Sequence, residues 1–183
     1  LAEIEALRMF FSSITLPPLL KEKIQRVSLL KSSLFSARIE GNQLTLPDLE
    51  SKKTEGDKKR EVFNIVEAVR IIDTHVRKGG LEKQVLLNLH KRVLKGINSD
   101  AGYFRKEVNA IFNTAGFAVY MSPPPSEVPL LLKRLFVYIS SDEEKFPLIT
   151  AFVSHLVFEK IHPFLDGNGR VGRLLIAAVL KAK

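Results

Sequence analysis

Apolar residues recur along most of this chain at spacings of three and four, the pattern of helices that bury one face. The first run, Leu1 to Phe11, reads as a short amphipathic helix closed by two serines and Pro17-Pro18. From Leu19 the positions Ile24, Val27, Leu30 and Leu34 carry a second helix into SARIEGN, where Gly41-Asn42 is a stop signal. Pro47 marks a fresh helix start in TLPDLE. Val62, Ile65, Val66, Val69 and Ile72 form the next face, ended by Gly79-Gly80. Val85, Leu86, Leu89, Val93 and Leu94 form another, ended at Gly96.

Between Tyr103 and Met121 the texture changes. VNAIFNTAGFAVYM is rich in β-branched and aromatic residues, with Asn113 to Gly116 in its middle, so it predicts two short strands around a turn. Pro123-Pro124-Pro125 ends that hairpin. Val128, Leu131, Leu132, Leu135, Phe136 and Ile139 then make a further helix face, and two more apolar runs flank IHPFLDGNGRVGR, Ile161 to Arg173. There is no internal repeat and no βαβ alternation. The pattern predicts an all-α, mainly helical fold with one β-hairpin.

Composition narrows the class. A chain of 183 residues, 45% hydrophobic and 26% charged, suits one domain with a real core, or a core domain with an appendage. The absence of cysteine excludes a disulfide framework and any cysteine metal site, and fits a cytoplasmic protein. No apolar run approaches the ~18 residues of a membrane helix, and no signal peptide opens the chain. A start at Leu1 and an end inside an apolar helix pattern lead us to expect residues upstream and a C-terminal continuation. The net charge of +8 raises nucleic acid as a partner, but the basic residues are scattered. Their one cluster, SKKTEGDKKR (Ser51–Arg60), reads as a solvated linker.

The chemistry concentrates between Ile161 and Arg173. Gly167, Gly169 and Gly172 match the dinucleotide fingerprint letter for letter, yet a helix rather than a strand precedes them. The acidic partner expected about 20 residues on has no room before the chain ends. The physics common to phosphate loops survives: glycines admit a phosphate to the backbone, and a helix N-terminus presents unpaired N–H groups. Arg170 and Arg173, three apart, project from neighbouring positions and suit a polyphosphate. Asp166, the one acid in this positive loop, suits Mg²⁺ on those phosphates; as the alternative, Asp166 or Asn168 caps the last helix. His162 stands at the mouth of the loop, where it can take a proton from an attacking hydroxyl. His75, His90 and His155 read as structural, His155 lying seven residues before His162 on the same helix face. The histidine spacings argue against zinc.

His162, Phe164, Asp166, Gly167, Asn168, Gly169, Arg170 and Arg173 fill every fixed position of H-x-F-x-[DE]-G-N-G-R-x-x-R, and at these residues the chain resembles the Fic (filamentation) family. AGYFRKEVNAIF and VYMSPPPSEV resemble that family's hairpin flap, and LPPLLKEKIQRVSLLKSSLFSARIEGN the N-terminal region of many bacterial members. The resemblance implies transfer of AMP from ATP to a protein Ser, Thr or Tyr hydroxyl, with release of pyrophosphate. It makes His162 the general base and Asp166 the Mg²⁺ ligand. Gly167, Asn168 and Gly169 become the anion hole, Arg170 and Arg173 hold the β and γ phosphates, and Gly172 completes the phosphate-binding set. The flap, about 106–122, aligns the target segment by strand pairing. Ser36-x-x-x-Glu40-Gly41-Asn42 fits the family's inhibitory motif, which implies that Glu40 reaches Arg173 in place of the γ-phosphate.

These readings divide the chain into residues 1–50, carrying the inhibitory helix, and 51–183, the catalytic core with its loop at 162–173. They predict an autoinhibited protein adenylyltransferase. ATP and a target protein, which can be the chain itself, are its partners, homo-oligomers are compatible, and nucleic acid and membrane are not expected. The alternatives are transfer of another phosphate-linked group, removal of AMP, and, more remotely, a basic nucleic-acid-binding module.

Overall fold

The structure, a computed structural model, describes residues 1–51, 56–79, 81–112 and 114–183, with only the main chain at 76–79, 111 and 112. Residues 52–55 of the Lys-rich linker, Gly80 and Asn113 therefore lie outside the described residues.

Helix α1 (Ala2–Ser13) buries none of its side chains, and its apolar Ile4, Leu7, Phe10 and Phe11 face outward. Pro18 begins α2 (Pro18–Ile39), a position where its missing N–H costs nothing. The C-terminal half of α2 buries Ser33, Leu34 and Ala37 against the rest of the chain. The helix stops where the sequence predicts: Glu40 is its C-cap, and Gly41 follows at φ +91, a conformation glycine adopts without strain. Asn42 fixes the turn. Its buried side chain donates to Lys58 O and Glu61 Oε2, both at 2.8 Å, and accepts the Leu44 N–H.

A short helix, α3 (Leu46–Glu50), is started by Asp48, whose carboxylate accepts the Thr45 N–H at 2.8 Å. α4 (Asp57–Gly79) follows; of its predicted face Val62, Ile65, Val66 and Ile72 are buried and Val69 partly so, Ala68 is buried with them, and the helix packs against α2 on one side. On the other side lies α5 (Lys83–Val93), which contributes Leu86, Leu89 and Val93. Asn64 on α4 ties down the end of α5 by donating to Val93 O at 3.0 Å and Lys95 O at 2.9 Å.

The predicted hairpin is present as β1 (Ala110–Phe112) and β2 (Ala118–Met121), antiparallel, pairing Ala110 with Met121 and Ile111 with Tyr120 before a bulge. Ser122 closes its base, its N–H and hydroxyl both donating to Asn109 O, at 2.9 and 2.7 Å. The strand pair leans on the next helices through Tyr120, whose hydroxyl donates to Lys160 O at 2.6 Å.

Three helices complete the chain: α6 (Val128–Ser140), α7 (Pro147–Ile161) and α8 (Asn168–Ala182). α7 buries Thr150, Ala151, Ser154, Phe158 and Ile161 while leaving Phe152 and Leu156 exposed. α8 packs against α7, α4 and α5 through Val171, Leu174, Leu175, Ala178 and Val179. Leu34, Ala37 and Leu49 share this core with the later helices. Among the described residues the fold is mainly helical with one hairpin, as the pattern predicts, and no helix is long and apolar enough to cross a membrane.

Candidate active site

The loop between α7 and α8 is anchored from below by Phe164. Its ring is fully buried, stacked on His90 at 3.6 Å and 4°, with Phe104 and Phe158 beside it. Asn168 clamps the loop from within: Phe164 N–H donates to Asn168 Oδ1 at 3.0 Å, and Asn168 Nδ2 returns a bond to Phe164 O at 2.8 Å. Gly167, at φ +80, then turns the chain into α8, with the Leu94 side chain too close for a Cβ to enter without adjustment. The first N–H groups of α8 thus emerge at the loop without intrahelical partners, the site of partial positive charge that anions favour.

His162 caps α7 in the left-handed region, φ 49 and ψ 60, the single non-glycine residue among those described with positive φ. Such a backbone costs about 1 kcal/mol or more and needs support. Its N–H donates to Phe158 O at 2.9 Å, and its carbonyl accepts from Arg105 Nε at 2.7 Å. The imidazole Nδ1 lies 3.3 Å from Glu159 O. A carbonyl only accepts, so Nδ1 carries the proton and Nε2 keeps its lone pair. Burial lowers the pKa of His162; the Glu159 carbonyl opposes this and the Arg105 charge adds to it. The ring therefore favours its neutral form.

Asp166 is half-exposed, and both hydrogen bonds it accepts go to Oδ1, from Gly167 N–H at 2.6 Å and Arg170 Nη2 at 2.8 Å. Oδ2 accepts no hydrogen bond among the described residues. No group of three or more His, Cys, Asp or Glu that could hold a metal ion stands together among the described residues.

Arg173 receives the α2 terminus. Its Nε donates to Ser36 Oγ and its Nη2 to Ser36 O, both at 2.9 Å, and Nη2 also reaches Glu40 Oε1 at 2.7 Å. Glu40 lies directly over the glycine loop, where a Cβ on Gly169 would stand 2.5 Å from Glu40 Oε1 and 3.0 Å from Arg173 Nη1. Ser36, Glu40, Gly169 and Arg173, more than 130 residues apart in the extreme, are thereby brought into one cluster.

Four details depart from the sequence reading. Arg170 and Arg173 do not form one clamp: Arg170 is buried, its Nη1 held by Glu61 Oε1 at 2.6 Å and its Nη2 by Asp166. Gly172 faces α7 rather than the loop mouth, and a Cβ there would collide with the Glu159 carboxylate and the His155 ring. His155 and His162 do not share a helix face, because His162 lies past the last turn in left-handed geometry. The Asn168 side chain is spent on Phe164, which leaves its main-chain N–H for an anion.

Sequence reasoning missed Glu61 and Arg105, and it read His90 as structural without finding its partners. His90 accepts the Gly102 N–H on Nδ1 at 2.8 Å and so donates Nε2–H to Asp166 O at 3.0 Å, holding the loop through its main chain. For Arg105 the available signal was slight, an arginine following Tyr103-Phe104 just before the hairpin.

Residues 80–180 match the model of the Fic/DOC family. A probable protein adenylyltransferase of Aquifex aeolicus is 30% identical over 156 residues, covering 82% of this chain and 47% of that protein. The protein adenylyltransferase Fic of Drosophila melanogaster is 30% identical over 157 residues, covering 79% of this chain and 31% of that one. The chain thus spans less than half the length of these curated relatives. A crystal structure of a Fic family protein from Desulfovibrio desulfuricans superposes with TM-score 0.75 at 29% identity, over 87% of this chain and 49% of that one. A Fic-domain-containing signalling protein from Bacteroides thetaiotaomicron superposes with TM-score 0.83 over 96% of this chain and 70% of that one; at 22% identity it speaks for the fold alone.

Proposed function

The chain belongs to the Fic/DOC family, and we propose that it is an autoinhibited protein adenylyltransferase that moves AMP from ATP to a Ser, Thr or Tyr hydroxyl of a protein. The observation that carries this reading is the seating of the Glu40 carboxylate against Gly169 and Arg173. A loop that holds an acidic side chain over a glycine, beside a helix N-terminus and an arginine, is an anion site with an anion already in it. The names of the Aquifex and Drosophila relatives agree with that anion being the triphosphate of ATP.

In this reading the target hydroxyl attacks the α-phosphorus. A new oxygen–phosphorus bond forms, the bond from the α-phosphorus to the α–β bridging oxygen breaks, and pyrophosphate leaves. His162 Nε2 accepts the hydroxyl proton, a task for which a neutral ring is already suited. The N–H groups of Gly167, Asn168 and Gly169 face the phosphates. Arg173 takes the γ-phosphate once Glu40 withdraws. Arg170, braced between Glu61 and Asp166, orients that carboxylate more than it grips phosphate.

Mg²⁺ fits Asp166: one half-exposed carboxylate is what such an ion takes from protein when phosphate and water supply the rest. It would neutralise charge on the phosphates as pyrophosphate departs. The flap, 106–122, offers β1 or β2 as an edge for main-chain pairing with a target segment. Residues 1–50 supply the inhibitory side chains and 51–183 the transfer centre.

The test compares the full-length protein with its Glu40→Gly variant, each incubated with labelled ATP, CTP, GTP or UTP and followed by intact mass. The expected result is AMP addition that rises in the variant and prefers ATP. Equal labelling of the two proteins would remove the autoinhibition, and labelling by none of the four nucleotides would remove the transferase reading itself.

A further inference from the structure

Arg105 is almost wholly buried, 3% exposed, and no carboxylate pairs with it among the described residues. A buried charge in that condition is costly unless every donor is used. The guanidinium spends itself on carbonyls. Nε donates to His162 O at 2.7 Å and Nη2 to Ile161 O at 3.3 Å, while the Arg105 main-chain N–H reaches Pro163 O at 3.0 Å. Three successive carbonyls at the break after α7 are thus held by one residue. The remaining bonds run elsewhere: Nη2 to Pro123 O at 2.6 Å and Nη1 to Glu107 O at 2.8 Å. Glu107 and Pro123 are the two feet of the hairpin, just outside the Asn109–Ser122 closure.

The imidazole itself is held loosely, its one hydrogen bond among the described residues being the long 3.3 Å contact to Glu159 O. Its orientation therefore depends on the left-handed backbone of His162, and that backbone depends on where the carbonyls of 161–163 point. A planar fork with several donors in fixed directions can hold those carbonyls and both hairpin feet at once, which an ammonium cannot.

We propose that Arg105 is a positioning residue for the transfer reaction, one that fixes His162 in its left-handed geometry and couples it to the base of the flap that presents the target. The proposal rests on His162 being the base, and extends it to a residue that touches no nucleotide. Among the described residues Arg105 makes no hydrogen bond or ion pair with Gly167 to Arg173, so it acts on the rate and not on ATP capture.

Two variants of the full-length protein, Arg105→Lys and Arg105→Gln, test this in the Glu40→Gly background. The first readout is the His162 imidazole titration by NMR of histidine-labelled protein, assigned with His162→Ala. Loss of the neighbouring charge in Arg105→Gln moves the midpoint upward, whereas Arg105→Lys keeps it near the parent value. The second is the self-labelling rate as a function of ATP. Both variants lose at least about tenfold in the rate at saturating ATP, in the range of a displaced base, while the half-saturating ATP concentration stays within about twofold.

A folded Arg105→Gln with an unmoved His162 midpoint overturns the proposal, whatever the labelling shows. If Arg105→Gln does not fold, Arg105→Lys decides, and a saturating rate equal to the parent's overturns it. A parent protein that labels with no nucleotide defeats the transferase reading alone, because the His162 midpoint still reports whether Arg105 governs that ring.

Discussion

Glu61 Oε1 accepts from Arg170 Nη1 at 2.6 Å in the most buried ion pair among the described residues, with side chains 14% and 7% exposed. Its other oxygen accepts from Asn42 Nδ2 at 2.8 Å. One carboxylate therefore joins the turn that follows α2 to α8, the helix that begins in the glycine loop. Arg170 passes the connection on to Asp166. A line of hydrogen bonds runs from Asn42 through Glu61 and Arg170 to the carboxylate proposed for Mg²⁺.

Removing Glu61 strands the Arg170 guanidinium. Asp166 remains as a second partner, but it is half-exposed and already bonded to Gly167 N–H. Breaking one side of a buried pair costs about 3–5 kcal/mol, and the surviving Asp166 bond places Glu61→Ala near the lower end, about 3 kcal/mol. Urea unfolding of the full-length protein measures it. A loss below about 1 kcal/mol, the scale of an exposed pair, would mean that the Arg170 site is wetter than its geometry implies.

His162 makes a prediction about pH. Burial, the first cause, and the Arg105 charge both disfavour the imidazolium, with the Glu159 carbonyl opposing them. The net lowering means that the ring stays a competent base under more acidic conditions than a free histidine, whose pKa is about 6.5. In the Glu40→Gly protein the acid limb of the labelling profile should therefore fall below about pH 6.5. His162→Ala should label about 10²–10⁴-fold more slowly with an unchanged melting temperature. Near-parent labelling in that variant would end the assignment of His162 as the base.

Much of this architecture was legible because its signals are local. Val62, Ile65, Val66, Val69 and Ile72 announce a helix face wherever that helix packs, and Gly41 announces a helix end by its own conformational freedom. The loop from His162 to Arg173 was legible for the same reason, its groups being contiguous. What spacing could not show was direction. Arg170 and Arg173 are three apart, yet Glu61 draws one inward and Ser36 with Glu40 draw the other outward. His155 and His162 are separated by a heptad, but the left-handed cap removes His162 from the helix and its face. Arg105 left only a slight trace of its role and Glu61 none, because their partners lie 57 and 109 residues away. Only the packing of α4, α7 and α8 creates those contacts.

His90 carries the last prediction, on stability. Its Nδ1 accepts the Gly102 N–H, so the ring is neutral and donates Nε2–H to Asp166 O. Burial, above all, lowers its pKa, although the Asp166 carbonyl and charge pull the other way. Below about pH 6.5 the unfolded chain protonates this histidine while the folded one does not. The unfolded state then binds more protons, so stability is full above that pH and declines as pH falls towards the lowered folded value. One such group contributes up to about 1.4 kcal/mol per pH unit across the window. His90→Gln gives up the Phe164 stacking and lowers stability throughout, but it deletes this share of the slope. His162, also lowered, leaves a residual slope in both proteins. Urea unfolding of parent and variant at pH 7.5, 6.5 and 5.5 separates the two effects. A variant as steep as its parent would place the acid sensitivity elsewhere and reduce His90 to a ring that packs.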